Sequence, residues 1–204
     1  MLCDGRPRSE AALSPLRSLP AESLQRYSFK ALSTWGNVDD LRHYLPRILE
    51  LVVTGQMRGI NPQTVLGKLE LGRWAQWPAA QRDAIDALLS AWWIAALRGG
   101  ADDIIDVFSS ILRTGRPLEA LLGAAHAQAQ SHAGASASLL AIAVALGTRR
   151  TLDEWVGPDD SDRVAVWLRA HARSLLERAL HEDPDLVARD VNGWALDALW
   201  LRTG

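Results

Sequence analysis

From Ala21 onward, apolar residues return at intervals of three and four along the chain rather than two. That is the period of a helix with one buried face. The spacing predicts helices over 21–32, 38–54, 62–72, 78–98, 101–114, 117–130, 135–147, 160–181 and 193–202, and strand signals are nearly absent. The punctuation agrees. Asn37, Asn61 and Asp159 or Asp160 suit N-caps, Pro62, Pro78 and Pro117 suit first helical turns, and Gly55, Gly99, Gly115 and Gly147 suit helix ends. The expected fold is all-α, a multi-helix bundle or a short HEAT-like α-solenoid of about nine helices, because short connections make successive helices antiparallel neighbours. No self-similarity at a fixed period accompanies the solenoid alternative. Residues 1–19 scatter Pro, Gly, Ser and Arg with weak periodicity and predict a loosely ordered lead-in, followed by a single helical domain over 20–204.

Composition narrows the class. With 204 residues, 48% apolar and 23% charged, the chain is long enough to bury a core without metals or disulfides. A net charge of −2 supplies no basic footprint for nucleic acid. Lys30 and Lys68 are the only lysines, so the arginine content resembles the codon bias of a GC-rich bacterial genome and is no phosphate signal by itself. Cys3 is the only cysteine, which rules out an internal disulfide and predicts a cytoplasmic protein. The first twenty residues lack the apolar core of a signal peptide, and the most apolar stretch, 138–147, is too short to span a membrane.

Candidate chemistry is densest over 33–51. Asn37 and Asp40 have the spacing of a capping box, and Asp39 and Asp40 fall where a helix start favours negative charge. Leu41, Leu45, Ile48 and Val52 form the core stripe. Asp39, His43 and Arg47 are spaced by four and predict a polar row in which Asp39 orients the imidazole. Pro46 interrupts the helical ladder and should bend it, which opens a groove or wraps the core. Trp35, Asp39, Asp40, His43, Tyr44 and Arg47 are the candidate binding residues. Each also has an adequate folding explanation, so the case for binding is their clustering.

This stretch resembles a group of uncharacterised bacterial helical proteins. The shared pattern is Tyr27-Ser28-Phe29-Lys30-Ala31-Leu32, Thr34-Trp35-Gly36, Val38-Asp39-Asp40 and Arg42-His43-Tyr44-Leu45-Pro46-Arg47, all within residues 20–55. The group carries no assigned chemistry, so the resemblance implies an all-helical fold and singles out this segment.

Elsewhere, Asp102-Asp103-Ile104-Ile105-Asp106 matches the D-D-x-x-D pattern by which helical isoprenoid synthases hold magnesium. No second acidic metal motif follows, and the position after Gly99-Gly100 suits a helix start equally well. Metal-bundle, hydrolase, P-loop and dinucleotide motifs are missing. His126 and His132 are six apart, a poor spacing for one metal on a helix. Nine tryptophans stand against two phenylalanines. Trp167, Trp194 and Trp200 are expected in the core, while at least one of Trp92 and Trp93 should reach the surface or a groove.

These features point to a non-enzymatic cytoplasmic helical protein that binds another macromolecule through a groove or patch near 34–47. A protein partner or self-association is favoured over a small molecule, with no nucleic acid, no membrane and no cofactor. The alternative is a small helical enzyme or ligand-binding protein, Mg-dependent through Asp102, Asp103 and Asp106. If the acidic run only starts a helix, Mg²⁺ should leave the melting temperature unchanged in differential scanning fluorimetry. A rise that Asp103→Ala abolishes would favour the metal.

Overall fold

The structure, a computed structural model, describes residues 15–99, 103–147 and 156–171. Its described residues are all-helical, with eight α-helices, no strand and one isolated β-bridge between Ala31 and Trp35. The predicted helix over 193–202 and the end of the one over 160–181 lie outside the described residues. The chain divides into two compact units, Met1–Asp83 and Ala84–Gly204.

In the first unit, α1 (Ala21–Lys30) packs against α2 (Val38–Val53) and α3 (Pro62–Leu71). Short 3₁₀ turns at Leu16–Ser18 and Trp74–Gln76 flank them. The stripe predicted for α2 is the buried one: Leu41, Leu45, Ile48 and Val52 all lie in the core with Leu24, Tyr27, Leu66 and Leu69. Each buried Leu or Ile contributes roughly 1.5–3 kcal/mol over its exposed state, so this stripe is what docks α2. The lead-in is anchored at its end. Leu19 is buried, and its carbonyl accepts from Arg47 Nε at 3.0 Å. Asn61 caps α3 by accepting from the Gln63 amide at 2.8 Å, with Pro62 as the first helical residue. Pro46 sits exposed within α2, and helix continues on both sides of it.

The second unit holds most of α4 (Ala79–Gly99), then α5 (Ile104–Leu112), α6 (Leu118–Ala129), α7 (Ala133–Gly147) and α8 (Pro158–His171). α7 packs on α5, α6 and α8, and α8 also packs on α6. Helix α8 starts at Pro158, ahead of the caps expected at Asp159 or Asp160. Gly157 turns the chain with a φ of +91°, and both the Ser161 amide and its hydroxyl donate to the Gly157 carbonyl at 3.0 Å. Among the described residues no helix is long and apolar enough to cross a membrane.

Two glycines show what governs packing here. At Gly134, near the start of α7, a Cβ would run into the backbone carbonyl of Arg98 at the end of α4. The same junction carries a bond from the buried Ser138 hydroxyl to the Leu97 carbonyl at 3.1 Å. At Gly123, on the exposed side of α6, a Cβ would meet open space. Gly134→Ala should therefore destabilise the fold by about 1–3 kcal/mol through forced backbone displacement. Gly123→Ala should stabilise it by about 0.5–1 kcal/mol by relieving the entropic cost of glycine in a helix. Urea unfolding of the two variants measures both.

Candidate functional site

The segment singled out by sequence begins where α1 ends. Ala31 closes the helix by donating to the Tyr27 carbonyl at 2.7 Å. The chain then reverses through Leu32, whose φ of +61° lies in the left-handed region that a leucine rarely occupies. The Leu32 amide donates to the Trp35 carbonyl at 3.0 Å. The Lys30 carbonyl accepts from the amides of Ser33, Thr34 and Trp35 and from the Ser33 hydroxyl. Gly36 follows with a φ of +67°, and a Cβ there would stand 3.0 Å from Asp40 Oδ2.

Asn37 then caps α2 as the spacing predicts. Its Oδ1 accepts from the amides of Asp39 and Asp40 at 2.9 and 3.0 Å, and its own amide donates to Asp40 Oδ2 at 3.0 Å. Asp40 is thus engaged in the helix start. Arg47 is engaged in packing: it is largely buried, bonds the Leu19 carbonyl and pairs with Glu50 at 2.9 Å. Tyr44 is half-buried against Tyr27, with ring centroids 5.0 Å apart.

The expected row of Asp39, His43 and Arg47 does not form. Asp39 pairs with Arg42 at 3.2 Å instead. Arg42 also donates to Gln81 Oε1 at 2.9 Å and lies 5.8 Å from the centre of the Trp77 ring. His43 is exposed and meets Tyr44 edge-on at 4.8 Å. Arginine at i+3 reaches the Asp39 carboxylate and forms a charge-assisted hydrogen bond with it.

Trp35 gathers a different set. The Arg26 guanidinium and the Lys30 ammonium lie 5.5 and 5.2 Å from its ring centre. Neither cation meets a carboxylate among the described residues. Phe29, on the same exposed side of α1, is 61% exposed. Sequence reasoning picked Trp35 but missed Arg26, Lys30 and Phe29. The signal was present in the α1 periodicity, which leaves 26, 29 and 30 off the buried stripe of Leu24, Tyr27 and Ser28.

The acidic run behaves differently. Asp102 lies outside the described residues, and Asp103 occupies the N-cap position of α5 without a side-chain capping bond. Burial pushes the Asp106 carboxyl above its ordinary range, and neighbouring Asp103 adds to the effect. Among the described residues no group of three or more His, Cys, Asp or Glu could hold a metal ion.

Another cluster was invisible in the sequence. His126 on α6 meets Trp167 and His171 on α8, with centroid distances of 5.9 and 6.5 Å, and His171 stacks on Trp167 at 4.9 Å. Trp167, expected in the core, is half-buried in this seam. Trp93 is fully buried and Trp92 is partly exposed, so one of the pair reaches the surface.

Tyr27 holds a buried hydroxyl without a hydrogen-bond partner. Burial raises its pKa well above the ordinary tyrosine value, with Asp40 and then Tyr44 adding to the shift. The folded state therefore binds this proton more tightly than the unfolded chain. The associated stability is fully present below about pH 10, the unfolded tyrosine value, and is lost as pH rises beyond it. Tyr27→Phe should remove that alkaline loss. It should also raise stability at neutral pH by about 1 kcal/mol, since no bond is given up and a desolvated hydroxyl is removed. Thermal melts of both proteins from neutral to alkaline pH test the two effects together.

No family model matches the chain, and comparison with curated proteins and with solved structures yields no match.

Proposed function

We propose that the first unit binds an acidic segment of a partner protein through the surface formed by Arg26, Phe29, Lys30 and Trp35. The carrying observation is the Trp35 ring approached by two cations that meet no carboxylate among the described residues, on a turn whose backbone is strained at Leu32. Strain of this kind costs on the order of 1–3 kcal/mol and persists where the surrounding structure enforces it. Tryptophan and arginine are the residue types that most often anchor protein interfaces. An exposed phenylalanine beside them supplies apolar area, and the unpaired cations select a negatively charged occupant.

This keeps the expected non-enzymatic, cytoplasmic, macromolecule-binding role and moves its centre. Trp35 remains, whereas Asp40, Tyr44 and Arg47 are explained by capping and packing. His43 and Asp39 stand exposed on α2 and are available as rim contacts. A HEAT-like pairing of about nine helices belongs to the same proposal, since helical repeats commonly present extended binding faces.

Fluorescence anisotropy with a labelled Asp/Glu-rich peptide containing an aromatic residue tests the reading. Binding should weaken as salt rises. Trp35→Ala should reduce affinity at least tenfold, about 1.4 kcal/mol, and Lys30→Glu should do the same with an unchanged helical spectrum. Failure to bind, or equal binding by Trp35→Ala, overturns the proposal. Preference for a labelled single-stranded oligonucleotide overturns the choice of a protein partner.

A further inference from the structure

The second unit contains a cleft of about 370 Å³ whose walls come from α4 and α6. Its existence follows from residue size. On α4, Asp86, Ser90, Trp93 and Ile94 recur at helical spacing, and on α6 Ala120 and Ala124 are one turn apart. Ala120 and Ala124 contribute only methyl groups to this wall and leave space that longer side chains would fill. Trp93 is 1% exposed and fixed by a hydrogen bond from Nε1 to the Leu121 carbonyl at 2.9 Å. The indole beneath the cleft is thus fixed in place, and the cleft volume falls within the range of small-molecule sites.

The polar end of the cleft is built from Arg116, Asp86 and Ser90. Arg116 is largely buried, and its Nε and Nη2 both donate to Asp86 Oδ1, at 3.1 and 2.7 Å. Nη2 also donates to the Asp86 carbonyl at 2.6 Å, and Nη1 to Ser90 Oγ at 3.0 Å. The ion pair leaves this end without net charge, so it does not select an ion. The Asp86 side chain is 46% exposed, and its Oδ2 has no partner among the described residues, because every bond from Arg116 to the carboxylate uses Oδ1.

We propose that this cleft binds a small, uncharged, apolar molecule bearing a hydroxyl group. The apolar body lies against Ile94, Pro117 and the two alanines, above the buried Trp93, and the hydroxyl donates to Asp86 Oδ2. A hydrogen bond to a charged acceptor is stronger than one between neutral groups. The hydroxyl is therefore the feature that separates ligands from other apolar molecules of equal size.

The probes are 1-naphthol and 1-methoxynaphthalene, which share a ring system and differ in the donor. Titration calorimetry measures affinity, and the Trp93 indole N–H signal in two-dimensional NMR reports the location. 1-Naphthol should bind about tenfold more tightly than the ether and shift the Trp93 signal. Ala124→Leu should fill the cleft and abolish both effects. Ala120→Leu, at an exposed position on the same side of α6, should do so if the first variant fails to fold. Equal affinities for the two probes, an unmoved Trp93 signal, or a shift that survives the filled cleft would each overturn the proposal.

Discussion

The reciprocal hydrogen bonds between Asn37 and Asp40 fix the residue at which α2 starts, and the surface of the first unit depends on that point. Moving the start by one residue would rotate the helix by about 100°, since 3.6 residues make a turn. The stripe running from Leu41 to Val52 would then leave the core. The capping carboxylate also crowds Gly36, so the turn before the helix has little freedom of its own. Trp35 is held from both directions, by the end of α1 and by the start of α2.

How much of this was legible depends on the range of each interaction. The α2 cap, its core stripe and the start of α3 at Pro62 are local, and the spacing of the residues involved predicts them directly. The role of Arg47 was hidden because its acceptor, the Leu19 carbonyl, lies 28 residues earlier. The Asp39–His43 pair was a fair expectation from spacing alone and lost to Arg42, which the same spacing rules also allow. The His126, Trp167 and His171 cluster joins helices that are distant in sequence, and no local pattern announces it. Likewise, a pair of alanines on α6 reads as good helix-forming sequence. Only the residues contributed by α4, Asp86, Ser90 and Ile94 among them, turn their small size into a cleft.

The two units solve the placement of charge in opposite ways. Around Trp35, two cations lie against an aromatic ring and meet no carboxylate among the described residues. In the cleft beside Trp93, the arginine is neutralised by Asp86 and held in place by four hydrogen bonds, and Asp86 Oδ2 is left without a partner among the described residues. The first arrangement suits a charged partner in a salt-sensitive encounter. The second suits recognition through shape and one directional bond.

The Lys30 carbonyl carries a further consequence. It terminates α1 and at the same time collects three successive amides of the following turn. Those amides exchange with solvent only when the turn opens and the helix end frays along with it, so the turn shares the helix's protection. Ordering a binding loop on association costs about 0.5–1.5 kcal/mol for each side chain immobilised. The backbone of the turn around Trp35 is ordered during folding, so under the proposed binding role little further backbone ordering would be required.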